Sequence, residues 1–276
     1  MLNYCSADKR DMEFRGLHRI TRADADSLEL FIKKTAERTG VAGAVVGISG
    51  GIDSAVVVKL CADALGPENV QAIFMPTDVT PEDDYRQTRM MCEMWNVHYE
   101  VVNIQPAVDA FSVMIHKEGD DPLQMGNMMA RCRMIVLYDR ARRSRSLVYG
   151  TTNRSEYLMG YMTKFGDGAE DVTPMFDLYK TQVWQIAEII GVPQEIIDKV
   201  PTAGLWKGQT DEDEMGVTYR SLDLALNVLV QGGDDQAMAD AAGISVSKAK
   251  EIRSQVAHME HKHGPSILPD VRIGRD

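Results

Sequence analysis

The chain is short of cysteine, of positive charge and of long apolar runs, and each shortage removes a class of function. Its four cysteines, Cys5, Cys61, Cys92 and Cys132, form no Cys-x-x-Cys pair and have no histidine at ligand spacing. They read as free thiols in a reducing compartment rather than as a disulfide framework or a zinc finger. No run approaches the roughly 20 apolar residues that span a bilayer. The charged residues Asp8, Lys9, Arg10, Asp11 and Glu13 leave no apolar stretch for a signal peptide. A soluble, cytoplasmic protein is therefore expected. With 30 Lys and Arg against 41 Asp and Glu, the net charge is −11. That balance opposes non-specific binding to nucleic acid or membrane surfaces and leaves local nucleotide binding open. Internal repeats, low-complexity tracts and a domain linker are also missing. A single domain over residues 1–276 is expected, with 1–23 an extension of unknown role.

What is present begins with Gly47-Ile48-Ser49-Gly50-Gly51-Ile52-Asp53-Ser54, between an apolar run (41–48) and a helix-forming run (55–65). Val45, Val46 and Ile48 suit a buried parallel strand. The paired glycines allow positive φ and close approach of a ligand. A helix start after such a turn points unpaired N–H groups at an anion, which makes it a candidate phosphate cradle. It is not a Walker loop, because no lysine follows the glycines, and its glycine spacing is not that of the dinucleotide fingerprint. Phosphate charge must then be met by a metal, for which Asp53 is an anchor, or by cations from elsewhere in the chain.

Further strands are expected at 70–75, 99–104 and 147–149, alternating with helical patterns, so the sheet is parallel with helices on both faces. Asp24 to Arg38 reads as an amphipathic helix, and Thr80 as the N-cap of another that has Pro81 at its first position. Residues 106–125 read as a less regular insertion, and 127–143 as a basic helix on which Arg131 and Arg133 stand out. A second strand-to-helix turn, Gly150-Thr151-Thr152-Asn153-Arg154-Ser155-Glu156, would face the first at the carboxyl ends of the strands, letting Asp53 and Glu156 share Mg²⁺. The charged, glycine-spaced stretch 160–171 cannot build a core and so reads as functional. Lys180 falls in the first turn of a helix, where the dipole disfavours a cation unless an anion lies near. Residues 201–214 read as a loop or lid, and 219–229 and 234–263 as further helices. His258, His261 and His263 lack the neighbours a zinc site needs.

Ser-Gly-Gly-x-Asp-Ser after a strand resembles the N-type ATP pyrophosphatases, whose members adenylate a substrate oxygen. The resemblance narrows with Asn127-x-x-Ala130-Arg131-x-Arg133-Met134, Gly150-Thr151-x-Asn153-x-Ser155-Glu156, Gly160-Tyr161-x-Thr163-Lys164-x-Gly166-Asp167-Gly168, Pro201-Thr202-Ala203-x-Leu205, Gln209-Thr210-Asp211-Glu212 and His261-Lys262. Together, in this order, they are similar to the NAD⁺ synthetases. The resemblance implies an open, Rossmann-like parallel sheet of the adenine nucleotide alpha-hydrolase type. It also implies amidation of deamido-NAD⁺ by ammonia with ATP as co-substrate, through an acyl adenylate. On this basis Gly47, Ile48, Ser49, Gly50, Gly51, Ile52, Asp53, Ser54, Thr151, Lys180 and Thr202 would bind ATP, with Asp53 and Glu156 on Mg²⁺. Arg131, Lys164, Asp171, His261 and Lys262 would hold deamido-NAD⁺, and Asp53, Asp171 and Lys180 would serve catalysis. Thr202 stands where relatives often have Ser, and the first 23 residues match nothing in the family.

The resemblance further implies a homodimer with the deamido-NAD⁺ site at the interface. The amidase domain of glutamine-dependent relatives is not expected within 276 residues, so free ammonia is the expected donor. Two rival readings exist. A tRNA-thiolating or lysidine-forming pyrophosphatase would want a basic surface or catalytic cysteines. A nucleotide-binding module of the same fold would leave Glu156, Lys164 and Lys180 without a task.

Overall fold

A computed structural model describes residues 16–115, 119, 121–202 and 210–264. Four strands, β1 (Gly43–Ile48), β2 (Val70–Phe74), β3 (His98–Val101) and β4 (Ser146–Tyr149), pair in parallel in the order β3-β2-β1-β4. Around them run α1 (Arg22–Thr39), α2 (Ile52–Leu65), α3 (Glu82–Met94), α4 (Gln105–Met114), α5 (Pro122–Ser144), α6 (Arg154–Met159), α7 (Lys180–Ile190) and α8 (Gln194–Ile197). Then follow α9 (Asp211–Met215), α10 (Tyr219–Val230), α11 (Asp235–Ala242) and α12 (Val246–His258).

Alternation along the strands divides the core in two. Ala44, Val46 and Ile48 of β1, with Ala72 and Phe74 of β2, join the large apolar cluster built with α2, α7 and α10. Val45, Ile73 and Val148 face the other way, onto Val108 of α4 and onto Met129, Cys132 and Ala141 of α5. A sheet covered on both faces needs apolar residues on both, which is why β1 reads as a continuous apolar run rather than an alternating one. Cys61, Cys92 and Cys132 are free and buried in these cores; Cys5 lies outside the described residues. Among the described residues no helix is long and apolar enough to cross a membrane.

Three local readings of the sequence need correction. Residues 106–125 are not irregular as a whole, since α4 occupies Gln105–Met114. Asn103 starts it by accepting a hydrogen bond from the Gln105 amide at 2.8 Å, with Pro106 in the first turn. The basic helix begins earlier than 127, at Pro122, because Asp121 caps it through the Leu123 amide at 3.0 Å. Thr80 does not cap α3, whose N-cap is Pro81. Its hydroxyl closes the preceding turn instead, accepting from the Thr77 amide at 2.9 Å.

Candidate functional site

The strand order reverses between β1 and β4, and the segments leaving their carboxyl ends diverge to form a crevice there. The turn after β1 is held by its own hydroxyls. Ser54 Oγ accepts from the Ser49 amide at 3.1 Å and donates to the Gly51 carbonyl at 3.0 Å, while Ser49 Oγ accepts from the Gly51 amide at 3.3 Å. Of the paired glycines only Gly50 takes positive φ, at 78°; Gly51 is extended and serves as N-cap of α2. The turn therefore opens onto the start of a 14-residue helix, with Asp53 in its first turn.

The turn after β4 brings the second carboxylate. Asn153 caps α6, accepting from the Glu156 amide at 3.1 Å, while the Glu156 carboxylate returns to the Asn153 amide at 3.3 Å. This capping box fixes Glu156 facing Asp53. Asn153 Nδ2 donates to Asp53 Oδ1 at 3.0 Å. Lys180, the first residue of α7, is 2% exposed and donates to both carboxylates, directly to Asp53 and at 3.3 Å to Glu156. Burial and the neighbouring Asp53 push Glu156 well above the usual carboxylate range, with Lys180 opposing. Burial alone would lower Lys180, but Asp53 and Glu156 outweigh it and raise it. A buried cation between two acids explains why a lysine is tolerated at a helix N-terminus.

The cluster is bolted from behind. Ser155 Oγ accepts from the Lys180 amide at 2.9 Å and donates to Asp223 Oδ1 at 2.5 Å, and Asp223 Oδ2 accepts from the Thr181 amide at 2.8 Å. Asp223, on α10, is fully buried. Asp211, at the start of α9, accepts from Tyr161 Oη at 3.2 Å and Tyr219 Oη at 2.9 Å, and burial raises its pKa. The Tyr219 ring lies 5.3 Å from Lys180 Nζ.

Asp53, Glu156, Lys180, Asp211 and Tyr161 line a cavity of about 360 Å³ that also includes Gly47, Ile48, Ser49, Gly51, Ile52, Ser54, Thr151 and Thr202. A second hollow beside α3 and β3, lined by Arg89, Cys92, Glu93, Asn96, Val97 and Tyr99, has no paired carboxylates and no glycine turn. Four of the other candidates form a separate group, with Arg131, Lys164 and His261 joined in a chain of contacts and Lys262 bonded to the 160–164 loop. Arg131 donates to the Lys164 carbonyl at 3.3 Å, Lys164 Nζ to the His261 carbonyl, and Lys262 Nζ to the Gly160 and Met162 carbonyls at 2.7 and 2.9 Å. None of the four lines the cavity around Asp53. Asp171 is exposed and tied to β4, accepting from the Val148 amide at 2.9 Å and from Tyr138 Oη at 3.3 Å. The three C-terminal histidines also find partners: His261 Nδ1 lies 3.0 Å from the His258 carbonyl, and His263 stacks on Tyr157 at 4.3 Å.

Several further cavity residues lie outside the candidate ATP, Mg²⁺ and deamido-NAD⁺ contacts. Arg133 reaches the Met75 carbonyl at 3.1 Å, and Asp84, Lys199, Asp211 and Tyr161 all face the same space. Asp211 and Tyr161 belong to motifs already singled out; Lys199, two residues before Pro201, does not. Glu170 is another carboxylate that spacing alone does not mark. A Cβ on Gly150 would fall 1.1 Å from its Oε2 atom, which is buried without a hydrogen-bond partner. Burial pushes this carboxyl up to about 7. The motif residues Ala203, Leu205 and Gln209 lie outside the described residues, as do residues 1–15.

A parallel sheet with helices on both faces, a glycine turn at a helix N-terminus and two carboxylates about one lysine at the strand-order reversal define a nucleotide-binding α/β protein. The NAD synthase family model matches residues 25–266, and the chain belongs to that family. It is 44% identical over 250 residues to the NH₃-dependent NAD⁺ synthetase of Thermococcus kodakarensis, spanning 90% of this chain and 97% of that relative. The solved NMN synthetase of Francisella tularensis superposes with a TM-score of 0.80 at 35% identity, over 91% of this chain and 98% of the other. The NH₃-dependent NAD synthetase of Campylobacter jejuni does so at 0.75 and 29% identity, with the same coverage.

Proposed function

We propose that the chain is a C–N bond-forming ligase that amidates deamido-NAD⁺ with ammonia, converting ATP to AMP and pyrophosphate. The observation that carries this reading is the convergence of Asp53, Glu156 and Lys180 beside the glycine turn. A carboxylate is a poor electrophile until one of its oxygens is phosphorylated. The nicotinate oxygen attacks the α phosphorus, the bond to the bridging oxygen breaks, and pyrophosphate leaves with the electron pair. Ammonia then attacks the acyl carbon of the adenylate, AMP departs, and a proton is released. The turn amides and Lys180 would stabilise charge growing on the phosphates, and the work of the protein is positioning and electrostatics.

Asp53 and Glu156 suit Mg²⁺, a hard cation that binds through one or two carboxylates plus phosphate oxygens. When bound it would neutralise charge on the phosphates. Gly47 to Ser54, Thr151, Lys180 and Thr202 are proposed as the ATP contacts. Arg131, Lys164, His261 and Lys262 are proposed for deamido-NAD⁺, supported by the contacts that tie Arg131, His261 and Lys262 to the loop carrying Lys164. Asp171 is proposed to orient the nitrogen nucleophile. We read residues 1–276 as one synthetase domain, supported by an apolar core whose members run from Ile20 to Ile252. A homodimer is proposed, with apolar Val113, Met114, Ile115 and Leu123 left exposed on α4 and α5 and just after α4. Free ammonia as donor is supported by the names of the curated relatives.

A second reading keeps the chemistry and changes the acceptor to the mononucleotide, and the 35% identical NMN synthetase favours it. Incubating the protein with ATP, Mg²⁺ and ammonium, and with deamido-NAD⁺ or nicotinate mononucleotide in parallel, separates the two. NAD⁺ formation with the higher kcat/KM supports the first. A preference for the mononucleotide replaces it, and AMP formation only with a tRNA, or none at all, ends both.

A further inference from the structure

The glycine turn lacks the lysine that a Walker loop would supply, and Lys180 is already enclosed by two carboxylates. Among the described residues, one further cation touches the turn. Lys199 Nζ donates to the Gly50 carbonyl at 3.1 Å, to Asp84 Oδ1 at 2.5 Å and to Gln87 Oε1 at 2.9 Å. A Cβ on Gly50 would meet Lys199 Nζ and Asp84 Oδ1, both at 3.3 Å, so the pair lies against the face of the turn that only glycine leaves open. Both residues line the cavity. The Lys199 side chain is 28% exposed, against 3% for Lys180, so its ammonium is within reach of a ligand in the crevice.

We propose that Lys199 is a second phosphate-directed cation of this site beside Lys180, held in reserve by Asp84, and that it exchanges Asp84 for the β and γ phosphates of ATP and for the departing pyrophosphate. The proposal rests on the reading that the cavity binds ATP. The exchange leaves neither partner stranded. Lys199 trades one anion for another. Asp84 sits in the first turn of α3, where the helix dipole stabilises a carboxylate without help. The pair is reached by solvent from the crevice, with 28% of the Lys199 and 14% of the Asp84 side chain exposed, and the phosphate charge that replaces Asp84 offsets the contact that is lost. The Gly50 carbonyl bond keeps the ammonium at the turn while it switches. Lys199 thus supplies from just beyond α8 the charge that a Walker loop carries within itself.

The competing role is a static brace, in which the pair only holds α3 against the turn. Pyrophosphate binding tells them apart and does not require turnover. Its affinity is measured by calorimetry with Mg²⁺ present for wild type, Lys199→Met, Asp84→Asn and the double variant. The reserve role predicts at least tenfold weaker binding for Lys199→Met. It predicts two- to fivefold tighter binding for Asp84→Asn, and no gain from Asp84→Asn once Lys199 is Met. Unchanged binding in Lys199→Met, weaker or unchanged binding in Asp84→Asn, or a gain that persists in the double variant would each overturn it. If Lys199→Met does not fold, the sign of the Asp84→Asn effect decides alone. If wild type binds no pyrophosphate and forms no AMP, the ATP reading has failed. If wild type forms AMP but the variants show no contrast, only the role of Lys199 has.

Discussion

Lys180 occupies a position that its charge alone would not choose, and this mismatch made it readable. A lysine at a helix start implies an anion nearby, and Asp53 and Glu156 lie there. Replacing Asp53 with Asn or Glu156 with Gln keeps the shape and removes a charge from the proposed metal pair. Each change is expected to lower kcat by at least about a hundredfold, with the circular dichroism spectrum unchanged; rates within twofold of wild type would remove the metal argument. Glu170 is the opposite case, a carboxyl whose importance appears only in three dimensions. Its pKa rises from an ordinary 4.5 to about 7 because it is buried, so the folded chain holds its proton more tightly than the unfolded chain. The stability this gives is full below about pH 4.5 and lost as pH rises through about 7. Glu170→Gln should flatten that part of the stability profile, by on the order of 2 kcal/mol, in denaturant titrations between pH 5 and 8. A wild-type slope retained in the variant would contradict this.

At the scale of elements, the site depends on how two helix starts are joined through a third helix. Ser155 begins α6, Lys180 and Thr181 begin α7, and Asp223 of α10 accepts hydrogen bonds from Ser155 and Thr181. Asp223→Ala strands a buried hydroxyl and a buried amide, for an expected loss of about 2–4 kcal/mol. It also frees Lys180 and Glu156 to drift apart, so kcat should fall more than KM for deamido-NAD⁺. A variant destabilised with kcat intact would make the bolt purely structural. None of this was legible in the sequence, because Asp223 sits inside an amphipathic helix and declares nothing by spacing. The helix α4 was missed for a related reason. The turn signals at Gly119 to Pro122 are genuine, with Asp121 as a cap, but they mark the gap after a helix rather than a wholly irregular insertion. Thr80 was misread because a hydroxyl before a proline can close a turn as well as cap a helix.

For the whole molecule, the sequence carried the architecture well. Apolar β-branched runs between helical patterns specify a parallel sheet, and four such strands pair in parallel with helices on both faces. The strand order itself was not legible, since it depends on which crossover each helix makes. Yet that order, with β1 between β2 and β4, creates the crevice where two distant turns meet. The cradle was legible because its residues are contiguous. Lys199 was not, because it reaches the turn from 149 positions away in sequence. The central claim is that an oxygen of the nicotinate carboxylate attacks the α phosphorus of ATP. It is tested most directly by labelling that carboxylate with heavy oxygen, supplying ATP, Mg²⁺ and ammonium, and weighing the products. One labelled oxygen in the AMP phosphate for each NAD⁺ formed is the expected result. Label in pyrophosphate, or AMP without label, would contradict the account.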